Sequence, residues 1–313
     1  LAPDPLLIVV AGPTGSGKSS LAVAIAETFD GEIVNCDSLQ VYRHMDIGTA
    51  KITVAERRGI PHHLIDALEP NQVFSAGDFT RQSKCILAGI RERGKLPILC
   101  GGTGFYLRAL LEGLFEGPPR DEALRERLVS REERRPGVLH RFLRRHDPPS
   151  AVRIHKRDVQ KAVRAVEVCL RSKQSMSAQF GASEAPLEGF RIFKVGLSPP
   201  RAALYERIDW RCGRMFEGGA LREEVRGLLA RGFTEQTKAL ESIGYKQMLD
   251  CLAGRCTEAE ALESARMHTR RYAKRQLTWF RRDAEMRWFE GFGDDPGVAA
   301  EVLTAVQLLL AER

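Results

Sequence analysis

An apolar run from Leu6 to Val10 ends in Gly-Pro-Thr-Gly-Ser-Gly-Lys-Ser, Gly12 to Ser19, and a helix-like stretch from Ser20 to Phe29 follows at once. A buried strand that turns through glycines into a helix is the context of the Walker A loop. The glycines let successive backbone N–H groups face a phosphate chain, and the first helical turn adds partial positive charge. On this pattern Gly12, Pro13, Thr14, Gly15, Ser16 and Gly17 form the cradle, Lys18 reaches the phosphate oxygens, and Ser19 holds a divalent cation. A glycine-rich turn that binds nothing is the plain alternative, and the flanking strand and helix argue against it. The motif leaves open which phosphorylated ligand is bound.

The rest of the chain reads as α/β. Glu32 to Cys36 is a second short strand, and the carboxylate of Asp37 follows it. Ligands of open α/β sheets gather at the carboxyl ends of strands, so Asp37 belongs near the phosphate loop. There it can take a proton from a nucleophile, hold the water of a metal, or merely cap a helix. Tyr42 to Lys51 is polar and aperiodic, as binding loops are. A short strand is expected at Leu64 to Ala67, and the adjacent His62 and His63 point to opposite faces of an extended chain, which makes them poor joint metal ligands. A helix follows from Ala76 to Arg93, and Pro97 to Cys100 is another buried strand. It ends in Gly101-Gly102-Thr103-Gly104, which brings Thr103 to the same crevice, as a substrate contact or as the N-cap of the helix Phe105 to Leu111.

Gly117-Pro118-Pro119 marks a boundary. From Asp121 to Phe180 the chain is helical in texture, with Pro136, Pro148 and Pro149 breaking it and no strand signal. The expected organisation is a core at 1–117, a helical insertion at 118–188, and core completion with C-terminal helices at 189–313. The net charge is +7. From Arg120 to Lys173 sixteen Lys and Arg stand against eight Asp and Glu, so this segment carries the imbalance. Clustered basicity fits a polyanionic partner, and a solvated helical surface is the bland alternative. A long helix is expected from Thr257 to about Arg282. Its packing side would hold Leu262, Ala265, Tyr272, Ala273, Trp279 and Phe280; Arg266, Arg270, Arg271, Lys274, Arg275, Arg281 and Arg282 would share the other. Arg207, Arg211 and Arg214 lie in a further helix, Ala202 to Phe216, that returns them towards the sheet. The seven cysteines are scattered without a C-x-x-C pair and read as buried thiols in a reducing compartment, without zinc or disulfides. No apolar run reaches membrane-span length and no leader pattern opens the chain, so a cytoplasmic protein without membrane association is expected. The chain begins at Leu1, which leads us to expect a trimmed start.

These stretches together resemble the tRNA dimethylallyltransferase family, also called tRNA isopentenyltransferase. The resemblance rests on the loop from Gly12, on Asp-Ser-Leu-Gln-Val-Tyr from Asp37, on Asp46 to Lys51 and on Pro61-His62-His63-Leu64. Further on it rests on Gly101-Gly102-Thr103, Arg153-Ile154-His155, Ile243-Gly244-Tyr245 and Lys274-Arg275-Gln276-Leu277-Thr278-Trp279. It implies a P-loop NTPase-like parallel sheet whose cradle, with Mg²⁺ on Ser19, holds the diphosphate of dimethylallyl diphosphate. It also implies a helical insertion that embraces a tRNA anticodon stem-loop, and a target adenosine everted from its stack. The catalytic residues it implies are Asp37, which takes or orients the proton of the amine, and Thr103, which touches the reacting centre. Arg211 is the candidate second diphosphate-binding arginine, with Arg207 and Arg214 on nearby turns. The implied RNA contacts are Asp37, Ser38, Leu39, Gln40, Arg125, Gln160, Lys161, Ala162, Val163, Arg164, Ser242, Ile243, Gly244, Tyr245 and Lys246. The chain departs from the family in having Lys156-Arg157 where Pro-Asn is usual and Lys161 where Arg is usual. The cysteine pairs of the eukaryotic zinc-finger extension are missing. A monomeric enzyme of bacterial type is therefore expected.

Three rivals share these residues. An ATP-dependent small-molecule or nucleoside kinase would use the same loop with a mobile, Arg-bearing lid. An adenine-nucleotide prenyltransferase would have no use for the basic surface. A non-enzymatic RNA-binding protein would retain RNA affinity, with nothing else lost, when Lys18 is removed.

Overall fold

The computed structural model describes residues 4–113, 117–179 and 185–312. They divide into two compact units: the chain up to Leu110 joined with the chain from Leu187, and Leu111–Pro186. The first boundary therefore falls within the helix that precedes Gly117-Pro118-Pro119, ahead of that run.

In the larger unit six parallel strands, β1 (Leu6–Ala11), β2 (Gly31–Asn35), β3 (His62–His63), β4 (Leu96–Gly101), β5 (Arg191–Leu197) and β6 (Arg287–Phe289), lie in the order β3-β2-β4-β1-β5-β6. All six residues of β1 are buried, which is why it reads as an unbroken apolar run. It is flanked by β4 and β5, with Ile8 opposite both Ile98 and Phe193. Helices α1 (Lys18–Phe29), α2 (Ala76–Glu92) and α3 (Gly104–Glu112) follow β1, β3 and β4. The expected strand at Leu64–Ala67 is displaced: pairing occurs two residues earlier, with Ile33 opposite His62 and Val34 opposite His63. Leu64 and Asp66 adopt φ of 60° and 53°, left-handed values that end an extended run.

The smaller unit is helical: α4 (Glu122–Arg134), α5 (Val138–His146), α6 (Pro148–Arg153), α7 (Val159–Ser172) and α8 (Met176–Gln179). Pro136 separates α4 from α5, and Pro148 occupies the first turn of α6, where its missing N–H costs nothing. Leu128, Leu139, Leu143, Ala162, Val163 and Val166 form its apolar centre.

The chain then completes the larger unit with α9 (Arg201–Phe216), α10 (Ala220–Ala230), α11 (Tyr245–Leu252), α12 (Glu258–Phe280) and α13 (Pro296–Ala311). Val302 and Val306 of α13 join Leu21 and Ile25 of α1 in the core that covers Ile8 and Ile98. The buried line of α12 is Ala261, Ala265, Thr269, Ala273, Gln276 and Phe280. Side assignments change on both faces: Trp279 is 37% exposed, and Arg266 and Arg270 turn inward to Asp209, at 3.2 Å from its carbonyl and 2.5 Å from its carboxylate. Arg271, Lys274, Arg275, Arg281 and Arg282 remain on the exposed face.

Among the described residues no helix is long and apolar enough to cross a membrane. All seven cysteines are free thiols, but only Cys36, Cys100 and Cys212 are buried, and Cys85 is exposed.

Candidate active site

The carboxyl ends of β1, β2 and β4 converge on a cleft of about 330 Å³. Thr14, Gly15, Gly17, Lys18 and Ser19 line one side, Asp37 and Gln40 another, with Arg211, Tyr272 and Gln276 from α9 and α12. Gly12, Pro13 and Ser16, which the motif assigned to the cradle, are buried behind this surface. Gly15 and Gly17 both have φ of 83°, the left-handed conformation that lets the loop turn tightly into α1. Gly17 has a second constraint: a side chain there would meet Asp294 Oδ1 at 2.5 Å. The loop is propped from behind by the Gly293 N–H, which donates to the Ser16 carbonyl at 2.8 Å.

Lys18 Nζ donates to the Pro13 carbonyl at 2.7 Å. Burial, opposed by the attraction of Cys100 and Asp37 and aided by Arg211, lowers its pKa to about 8. Arg211 donates to Thr14 Oγ1 at 2.6 Å, which places it on the loop. Its Nε is buried and has no acceptor among the described residues. Of its neighbours, Arg207 is paired with Asp294 and also lines the cleft, whereas Arg214 is spent on Glu217 at the surface. A half-buried lysine, and an arginine held on the same loop with its Nε lacking an acceptor among the described residues, describe an anion site.

Asp37 Oδ1 accepts from the N–H groups of Leu39 (2.9 Å) and Gln40 (3.3 Å), which fixes the carboxylate and leaves its other oxygen without a hydrogen bond among the described residues. Thr103 Oγ1 accepts from the Ser38 N–H at 3.1 Å, so the Asp37–Gln40 turn and the Gly101–Gly104 loop are tied together. Burial pushes the Cys100 thiol up to about 11, and Cys36 also rises, so neither is a nucleophile near neutral pH. Among the described residues no cluster of three or more His, Cys, Asp or Glu is arranged to hold a metal ion; Ser19 and Asp37 are among the hard oxygen donors that line the cleft.

The residues assigned to RNA divide sharply. Ser38, Leu39 and Gln40 are half-buried, and Gln40 lines the cleft. Gly244 and Tyr245 are buried, Tyr245 fully, and the phenol donates to Glu224 at 2.5 Å. Tyr245 cannot stack on a base; it supports the loop opposite. Glu224 also accepts from the N–H groups of Asp46 (2.9 Å), Ile47 (2.7 Å) and Gly48 (3.1 Å). Gln40 in turn donates to Thr49 and Ala50, so this clamp holds one wall of the cleft. Lys246 is exposed, and Ser242 and Ile243 are half-buried.

In the helical unit, Ala162 and Val163 are core residues, 5% and 2% exposed, and cannot reach RNA. Five consecutive helical residues sample every face, so only part of Gln160–Arg164 can point outward. Gln160 and Lys161 do. Arg125 and Arg164 both bind the fully buried Glu167, at 2.8 and 2.7 Å. Against the upward push of burial, Arg125, the Asp121 N–H and Arg164 hold the Glu167 carboxyl at about 2.

Sequence reasoning gave no site role to Gln276, Glu224, Tyr272 or Asp294. Tyr272 had been placed on a packing face, but it lines the cleft beside Thr103.

Residues 40–283 match the family model described as IPP transferase. The tRNA dimethylallyltransferase of Solibacter usitatus is 55% identical over 306 residues, 98% of this chain and 99% of that protein. That of Koribacter versatilis is 51% identical, covering 97% and 99%. Among solved structures, the full-length tRNA isopentenylpyrophosphate transferase from Bacillus halodurans superposes with a TM-score of 0.72 at 36% identity, over 98% of this chain and 97% of that one. A eukaryotic dimethylallyltransferase acting on tRNA gives 0.82 at 26% identity, over 99% and 80%. Matched over nearly its whole length by these relatives, this chain belongs to the tRNA dimethylallyltransferase (IPP transferase) family.

Proposed function

We propose that the chain transfers a dimethylallyl group from dimethylallyl diphosphate to the exocyclic N6 amine of the adenosine 3′-adjacent to the anticodon in tRNA, releasing diphosphate. The observation that carries this reading is one cleft lined by Lys18, by Arg211 anchored on the phosphate loop, and by the fixed carboxylate of Asp37. In the reaction the allylic C1–O bond breaks and its electron pair leaves with the diphosphate. The N6 lone pair forms the new C–N bond, and the displaced N–H proton passes to the free oxygen of Asp37. Lys18, Arg211 and the loop N–H groups bind the diphosphate and stabilise the charge it gains as it leaves. Thr103 holds the Asp37–Gln40 turn at the acceptor.

Magnesium fits the donors present, because it retains waters and takes few protein ligands, and the Ser19 hydroxyl would hold it. When bound, it supplies further neutralisation of the leaving diphosphate. The exposed cations of α12, and Gln160 with Lys161 on α7, are the surfaces offered to the RNA backbone.

The test is to mix the protein with Mg²⁺, dimethylallyl diphosphate and an anticodon stem-loop and weigh the RNA. A gain of one dimethylallyl group per stem-loop is expected. Unchanged RNA together with ATP hydrolysis in its absence would favour a kinase, and prenylation of AMP alone would favour a free-nucleotide enzyme.

A further inference from the structure

We infer that Gln276 is a positioning residue that holds the diphosphate loop and the acceptor side of the cleft in fixed register; the inference rests on the transfer reaction proposed above. Its side chain is 6% exposed. Oε1 accepts the Thr14 N–H at 2.8 Å, and Nε2 donates to the Gly102 carbonyl at 2.8 Å. The two loops leave neighbouring strands, β1 and β4, whose last paired residues are Ala11 and Gly101. Beyond that pair the ladder ends. The carboxamide, which accepts and donates at once, continues it by one more rung with a side chain in place of a peptide.

The surroundings are shaped for this contact. A side chain at Gly102 would meet Gln276 Nε2 at 2.2 Å, and one at Gly104 would meet the Trp279 ring at 2.2 Å. Tyr272, one turn earlier on α12, lies beside Thr103. Through Thr103 the chain of contacts runs on to Ser38 and the Asp37 turn. The path Thr14, Gln276, Gly102, Thr103, Ser38 therefore links the group that grips the leaving diphosphate to the carboxylate that takes the proton. Gln276 touches neither reacting atom. Its task is the gap between the allylic carbon and the amine, where a displacement of about 1 Å costs about a hundredfold in rate.

Two variants test it. Gln276→Met keeps volume and removes both hydrogen bonds. It should lower the single-turnover rate about a hundredfold while dimethylallyl diphosphate affinity stays within about threefold. Gln276→Glu keeps the acceptor for Thr14 and loses the donor to Gly102. Burial raises the pKa of the introduced carboxyl, and its protonated form can donate again. The ratio of this variant's rate to that of the wild type should therefore rise as pH falls from about 8 to about 6. Lys18, Asp37, Arg207, Arg211, Tyr272 and Asp294 line the same cleft and bear on the introduced carboxyl, so the Gln276→Met ratio, which contains no such group, is the pH control. Wild-type rates for both variants, equal losses in rate and affinity, or a pH-independent ratio would overturn the inference. Should the methionine variant fail to melt cooperatively, the pH profile of the glutamate variant decides alone. A wild-type protein that leaves the stem-loop unmodified would instead refute the proposed reaction; an active wild type with unimpaired variants would refute only the bridge.

Discussion

Lys18 makes the affinity of the cleft for a diphosphate dependent on pH in a way that can be worked out beforehand. In the ligand-free protein its pKa is lowered to about 8, chiefly by burial. A bound diphosphate places negative charge against the amine and raises that value, so binding above pH 8 requires proton uptake. The protonated fraction of Lys18 falls from about 0.9 at pH 7 to about 0.1 at pH 9, and the apparent affinity falls with it by about tenfold, or about 1.4 kcal/mol. The ligand does not mask this, because a phosphate's last ionisation lies near pH 6 and is complete over this range. Isothermal titration with dimethylallyl diphosphate, without RNA and in buffers of different ionisation heat, reads both the affinity and the proton count. About 0.9 proton should be taken up at pH 9 and about 0.1 at pH 7. Lys18→Arg carries a charge that does not titrate here, so its slope should vanish even if its affinity is lower. A flat wild-type affinity, or the same slope in the arginine variant, would refute the assignment of Lys18 as the titrating phosphate ligand.

Asp37→Asn should lower the single-turnover transfer rate by about 10²–10⁴ while changing the affinity for either substrate only slightly, since the amide keeps the turn but cannot take a proton; rapid-quench kinetics beside equilibrium binding checks this. Tyr245→Phe removes one of the four hydrogen bonds on Glu224 and should cost about 1–2 kcal/mol, seen as faster hydrogen exchange at Ile47 and Gly48. Glu167 has a folded-state pKa of about 2 against an ordinary 4.5. Its contribution to stability is therefore complete above pH 4.5 and lost as pH falls towards 2. Protection of amides in α4 and α7 should decline over that window, and in Glu167→Gln it should already be low at pH 7.

The phosphate loop was legible because its requirements are local: glycines at fixed spacing between a buried strand and a helix. Asp37 followed from its place directly after a short strand, at the carboxyl end where ligands of open α/β sheets gather. Arg211 could not be separated from Arg207 and Arg214 by spacing, because all three lie on one helix; only the partners Thr14, Asp294 and Glu217 tell them apart. Gln276 stood within a recognised stretch, but its role, like that of Glu224, was not legible, as each acts on backbone groups more than 170 residues away. The burial of Ala162 and Val163 was available in principle from helical periodicity, which a contiguous run of candidate RNA contacts ignores. β6 has three residues, too few to show any pattern.

The stretch around Gly293 and Asp294, which buttresses the loop at Ser16 and Gly17, is made 277 residues after it, counted from Ser16 to Gly293. During synthesis the glycine-rich turn therefore leaves the ribosome long before its support, and before β5, the partner that closes one flank of β1. A nascent chain halted ahead of residue 290 should not retain labelled dimethylallyl diphosphate, whereas one released past α13 should, and filter binding on stalled ribosomes would show where along the message the enzyme first acquires its grip.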